Sequence, residues 1–228
     1  MTNEKNEFAF SIVNTDSPSP PSRRVSAARQ KAREAQRRWI VNAAEEVFSE
    51  SGYHEASLTM IARRAEIAVG TIYLYFRDKS DLYGCVLLER MTQMVREFEA
   101  ALTSSENAPE CLRRGIHAHF AFHDANRTFF EIFLHQHQIQ QSPLHKEHWE
   151  EMEALKRRNL SVIEDCIVRG QSRGELKPGS PRLLAVAYLG ITLQMTRQFI
   201  RENTNARLID SADFAADCFL HGSASLPQ

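Results

Sequence analysis

The sequence predicts an all-α protein, and three observations predict it. Apolar residues recur at helical spacing through most of the chain, no segment alternates in the way of a half-buried strand, and the breaks are marked by Gly, Pro, Ser and Asn. With 228 residues, 43% hydrophobic and 25% charged, the chain has the composition of a globular protein that can bury a sizeable core.

The elements follow in order. Residues 1–26, polar and containing "DSPSPPS", are expected to be a disordered leader, because prolines and serines in that density fill no core. A first helix is expected from about Ala27, with Ile40, Ala43, Ala44, Val47 and Phe48 on one buried face. "SESGY" stops it, with Gly52 placed to take a left-handed conformation. Ser57 caps a second short helix whose inward face is Leu58, Ile61, Ala62 and Ala65. After a break at "EIA", the stretch "AVGTIYLYFRDKSDL" predicts a third helix. Its core face is Val69, Ile72 and Phe76, which leaves the tyrosines for a partner. Asp78 caps a long fourth helix to about Ser104, with Asp81 in the first turn where the helix dipole favours a carboxylate. Further helices are expected at roughly 109–124, 127–140, 143–173, 181–203 and 209–220.

Charge is unevenly spread along this order. Between residues 22 and 38, Arg23, Arg24, Arg29, Lys31, Arg33, Arg37 and Arg38 face the single acid Glu34, whereas the chain as a whole has a net charge of −1. The basic segment is either an arm that meets a polyanion or a solubilising tail. Cys85, Cys111, Cys166 and Cys218 are far apart, without zinc or disulfide spacing, as expected of reduced thiols in a cytoplasmic protein. There is no apolar run of signal-peptide length, and the longest apolar stretch, 183–195, is too short to span a bilayer, so no membrane partner is expected. No nucleophile with its base, phosphate-binding glycine loop or dense carboxylate cluster is recognisable, so neither enzymatic activity nor a cofactor is expected.

Two short helices joined by a tight turn form a helix-turn-helix pattern, whose second helix suits a DNA major groove. Residues 43–82 add much to that bare pattern. Ala44, Phe48 and Gly52, then Ser57, Ile61, Ala62 and Ala65, then Val69, Gly70, Thr71, Ile72, Tyr73, Tyr75, Phe76, Lys79 and Leu82 closely resemble the DNA-binding domain of TetR-family transcriptional regulators. The resemblance implies a DNA-binding domain over 27–82 and an effector-binding and dimerisation domain over 83–228. It implies a homodimer acting as a repressor on a palindromic double-stranded operator and released by a small molecule. Residue by residue, it assigns Thr71 and Tyr73 to the groove and nearby phosphates. Tyr75 and Lys79 go to the backbone, Ser57 and Thr59 to the phosphate facing the second helix, and Gly70 to close approach. Departures from the pattern are Ala68 in place of a hydroxyl cap, Met60 in place of a capping-box acid, and Leu74 where a polar residue is common. Leu74 either touches a thymine methyl or packs on its own domain.

In the C-terminal part, "PRLLAVAYLGITLQMTRQFI" (181–200) is apolar around much of its circumference, as for a helix buried by a symmetry mate or at the centre of a core. Ala185, Ala187 and Gly190 permit close packing there. His117, His119, His123, His135, His137, His145 and His148 cluster between 117 and 148, and His119 and His123 share a helical face at a spacing that chelates metals. No metal ligand is assigned, and surface or pocket histidines explain the cluster as well. Phe120, His123, Phe133, His137, Trp149, Met152 and Met195 are the candidate lining of a pocket for a mainly apolar effector, or else ordinary core.

Overall fold

The computed structural model describes residues 23–127, 130, 144–202 and 206–223. Every regular element among them is helical: α1 (Arg23–Glu55), α2 (Leu58–Arg64), α3 (Val69–Ile72), α4 (Lys79–Leu102), α5 (Ala108–Ala125), α6 (Lys146–Ser172), α7 (Pro181–Glu202), a 3-10 turn (Leu208–Ser211) and α8 (Ala212–Ser223). Most of the leader, and most of the helix expected at 127–140, lie outside the described residues.

The chain divides into two units, residues 1–36 and 37–228. In the first, residues 23–36 are helical, and Ala27 to Ala35 are exposed. Helix α1 thus begins ahead of the expected Ala27.

In the second unit, the N-terminal helices form a compact head. Ile40, Ala44, Val47 and Phe48 of α1, Ile61 and Ala62 of α2, and Ile72 and Phe76 share one core. The helical stretch of α1 breaks at Gly52, whose φ of +73° is a conformation that glycine adopts without strain. Ser57 Oγ accepts from the Met60 N–H (3.2 Å) and starts α2. At the other end, the Ile67 N–H reaches Ala62 O (3.0 Å) and the Glu66 N–H reaches Arg63 O (3.2 Å). That bond pair is a Schellman stop, and it puts Glu66 at φ +54°, where glycine is usual. The turn of the helix-turn-helix is therefore set by the end of α2, not by its sequence alone.

Helix α3 is shorter than expected. Its last turn tightens, with Leu74 N–H on Thr71 O and Tyr75 N–H on Ile72 O, before Asp78 caps α4 by accepting from the Asp81 N–H (2.8 Å). The tightening still buries Ile72 and Phe76, as the spacing predicted, and leaves Tyr73 and Leu74 exposed.

Helix α4 leaves the head and packs against α5 and α6. A second core joins Phe98 and Leu102 of α4 to Leu112, Ile116 and Phe120 of α5, Ile163 and Ile167 of α6, Tyr188 of α7 and Phe219 of α8. Tyr188 is fully buried and donates its hydroxyl to Leu112 O (2.8 Å). Helix α7 corrects one expectation. It runs well past the apolar stretch 183–195, and at 22 residues it is long and apolar enough, by length and composition, to cross a membrane. Its Ala185, Tyr188, Thr192 and Thr196 face is buried, while Leu183, Val186 and Leu193 are 69, 50 and 39% exposed.

Candidate DNA-binding face and its link to the helical body

The expected DNA-contact residues fall on or beside two short helices that pack together, with Tyr73 and Tyr75 just after α3 and Lys79 at the start of α4. Thr59 is exposed in the first turn of α2, and Ser57 sits at its cap. On α3, Gly70 is exposed, and a Cβ built there meets nothing within 4 Å, so its outer side is open. Tyr73 is 57% exposed and Leu74 71%, so Leu74 does not pack on its own domain. Thr71 and Tyr75 are half-buried, and the Tyr75 ring lies against Phe76 at 6.5 Å. Ala68 caps α3 without a side-chain hydrogen bond, as its residue type requires.

Lys79 has an intramolecular role that the sequence did not signal. Its ammonium donates to Tyr53 O (2.8 Å), His54 O (3.2 Å) and Ala56 O (2.9 Å), and sits 4.5 Å from the centre of the Tyr53 ring. Three carbonyls occupy its three N–H bonds, and the side chain ties the start of α4 to the chain entering α2. Trp39 Nε1 fixes the other end of α2 by donating to Ala65 O (2.9 Å), and Arg64 is forked between Glu46 (2.7 Å) and Glu50 (2.6 Å). Arg37 is turned toward the protein, with a donor 3.0 Å from Cys85 Sγ and its guanidinium 5.2 Å from the Phe76 ring centre.

Immediately after the recognition segment, the first turn of α6 grips the first turn of α4. His148 Nε2 is 2.9 Å from Asp81 Oδ1, and His145 Nε2 is 3.1 Å from both Asp78 oxygens. Arg77 completes the grip: its backbone N–H (2.9 Å) and guanidinium (3.1 Å) donate to Asp81, and a second guanidinium nitrogen pairs with Glu147 (3.4 Å). Burial pushes the Asp81 carboxyl up, but the bonds from Arg77 and His148 outweigh it and hold the group at about 2. Asp78 moves the same way: the Asp81 N–H and His145 overcome its burial and lower it. Asp81, Cys85 and His148 also bring ligand atoms within 4.8 Å of one another, a set of metal-binding type that the sequence reading missed. In this arrangement Arg37 and Arg77 supply positive charge to the sulfur and the carboxylate. Partners 67 residues apart leave no local trace; the only signal was His145 and His148 at one-turn spacing.

The expected pocket residues are divided between the two cores. Met152 and Trp149 belong with the head's core, together with Phe122 and Phe130. Phe120 and Met195 belong with the second core. Phe133 and His137 lie outside the described residues. His123 lies beside Phe130, with ring centres 3.6 Å apart, and its ring is 4.5 Å from that of His119, tilted by 55°. Asp124 does not join these histidines: its carboxylate accepts from the Leu208 and Ile209 N–H groups (both 2.9 Å) and caps the 3-10 turn.

A helix-turn-helix head with an open recognition face, continuous through α4 with a helical body, defines a DNA-binding transcriptional regulator. The model for bacterial regulatory proteins of the tetR family matches residues 40–84, and the tetracyclin repressor-like C-terminal domain matches residues 105–199. The chain belongs to the TetR family. It is 31% identical to the fatty acid metabolism regulator protein of Bacillus subtilis over 140 residues, 61% of this chain and 70% of that protein. It is 25% identical to the transcriptional activator FasR of Mycolicibacterium smegmatis over 178 residues, 78% of this chain and 77% of the relative. Among solved structures, the regulator FadR from Bacillus subtilis in complex with stearoyl-CoA is similar with a TM-score of 0.69 and 25% identity, over 81% of this chain and 97% of that one.

Proposed function

We propose that the protein is a cytoplasmic, homodimeric repressor, without enzymatic activity, that leaves a palindromic operator when a mainly apolar small molecule binds its helical body. The observation that carries this reading is the open face formed by Thr59, Gly70, Tyr73 and Leu74 on the head. Thr71 and Tyr73 read the groove edge, Ser57, Thr59 and Tyr75 hold phosphates, and Leu74 supplies an apolar contact suited to a thymine methyl. Lys79 acts by fixing the head's shape. The basic residues Arg23, Arg24, Arg29, Lys31, Arg33 and Arg38 add phosphate contacts along the flanking duplex.

The dimer forms through α7 and α8. Leu183, Val186, Gly190 and Leu193 make an exposed apolar stripe on α7, and Phe214 is 67% exposed on α8. A Cβ at Gly190 meets nothing within 4 Å in the protomer, which leaves room for a second copy's helix to approach closely. The grip of His145 and His148 on Asp78 and Asp81 carries the effector's signal, because it joins the body to the residues that directly follow the recognition segment.

The effector class is a long-chain acyl thioester, supported by the stearoyl-CoA bound to the similar regulator. The test is operator binding by fluorescence anisotropy, with and without stearoyl-CoA. Release of DNA at micromolar ligand supports the proposal. Undiminished binding rejects the effector class, and lower reporter transcription in cells lacking the protein would make it an activator.

A further inference from the structure

The body contains a polar spot that its own side chains leave unserved. His119 and His123 are 2 and 6% exposed, yet among the described residues Nε2 of His119 and both ring nitrogens of His123 have no hydrogen-bond partner. Their surroundings are mostly apolar. Phe98 and Phe120 flank His119 (6.1 Å each between ring centres), and Phe130 covers His123. The Thr196 hydroxyl, close to His123, donates to Thr192 O (2.9 Å). Beside His123 is a cavity of about 20 Å³, lined by Asp124, Arg127, Thr196, Phe199, Ile200 and Leu208. That is room for about one oxygen atom with its hydrogens. Asp124 is committed to the 3-10 turn.

Buried polar atoms in native proteins nearly always find a partner, so three orphaned ring nitrogens at one place point to something that binds there. Its chemistry follows from the two rings. Burial keeps both imidazoles uncharged: it pushes His119 down to about 4, and burial together with His119 depresses His123. A neutral imidazole offers one N–H donor and one acceptor nitrogen, which suits an uncharged oxygen, whereas a carboxylate would have to be stripped of water against apolar walls. We infer that His119 and His123 form the recognition point for an uncharged oxygen, a thioester or ester carbonyl or a hydroxyl, on an otherwise apolar effector. The inference rests on the helical body being the effector domain and refines which ligands enter it. Arg127 lines the same cavity, so a free fatty acid is the discriminating comparison.

The experiment uses the full-length protein with three probes of one chain length: dodecanoyl-CoA, 1-dodecanol and dodecanoate. Calorimetry reads affinity, and ¹⁵N-histidine spectra read the ring nitrogens of His119 and His123. The thioester and the alcohol are expected to bind and to shift both rings, with dodecanoate at least about tenfold weaker. The His119→Leu/His123→Leu double variant removes the orphaned atoms and is expected to fold, losing about tenfold or more in affinity for both oxygen-bearing probes. His123→Gln, which keeps a donor and an acceptor, serves as the rescue and is expected to stay within about threefold of wild type. The idea is overturned by full affinity in the double variant, by rings that do not respond, by equal binding of dodecanoate, or by no binding of any probe; the nitrogens would then be served by water alone. Operator release is read separately. A probe that shifts the rings but leaves DNA bound supports this site and rejects the acyl-effector proposal, while release of DNA with unmoved rings does the reverse.

Discussion

The imidazole of His148 lies directly against the bare α-carbon of Gly84: a Cβ at that position would collide with three of its ring atoms. Helix α4 gives up roughly 1 kcal/mol of helix propensity at Gly84 relative to alanine, and in return α6 comes close enough for His148 to reach Asp81. Gly84→Ala is therefore expected to destabilise the protein by about 2 kcal/mol in spite of its better propensity. Adding His148→Ala is expected to recover much of that loss, a non-additivity that urea unfolding of the four proteins would measure. Additive effects would mean that the close approach has no energetic weight.

Asp81 gives the same junction a pH dependence of definite sign. Its carboxyl is held at about 2 in the folded protein, below an unfolded value of about 3.9. The stabilisation is therefore present above about pH 4 and is lost as the pH falls toward 2. Asp78, also lowered, adds in the same direction. Urea midpoints measured from pH 5 to pH 2.5 are expected to fall more steeply for the wild type than for Asp81→Asn, which at pH 6 should be less stable by about 2 kcal/mol. Parallel curves would show that Asp81 contributes nothing to the acid transition.

Lys79 and Tyr73 separate shape from contact. Lys79→Ala removes three hydrogen bonds to carbonyls and is expected to cost about 2 kcal/mol of stability, leaving the salt dependence of DNA binding unchanged. Tyr73→Phe removes one hydroxyl from a side chain that is 57% exposed and is expected to weaken operator binding without altering thermal stability. A salt slope about one phosphate smaller in Lys79→Ala would return that lysine to the DNA.

Glu66 carries the strain of the helix-turn-helix turn. A non-glycine residue at φ +54° pays a steric penalty that glycine does not. Glu66→Gly is expected to raise stability by about 1 kcal/mol in thermal unfolding, and an unchanged or lower midpoint would show that the turn is relaxed as it stands.

Much of the head was legible because its determinants are local. The Gly52 break, the Ser57 and Asp78 caps and the buried pair Ile72 and Phe76 all follow from residue type at helical spacing, and the structure has each of them. The long-range links were not legible. Lys79 reaches back to carbonyls of the chain before α2, whose sequence carries no mark of it, and Trp39 caps a helix 26 residues away. Aromatic, sulfur and histidine content, the basis of the expected pocket lining, cannot distinguish two cores. Met152 and Phe120 share a chemistry and belong to different ones.

The central claim is sequence-specific recognition of DNA by two heads. The most direct measurement is to sequence the fragments that the purified protein retains from its own genome at moderate salt, alongside the Thr71→Ala/Tyr73→Phe variant. The account predicts enrichment of a short palindrome with half-sites about one helical turn apart, roughly 34–36 Å or a multiple of it, and loss of that enrichment in the variant. Fragments without a shared palindrome, or the same enrichment in the variant, would contradict it.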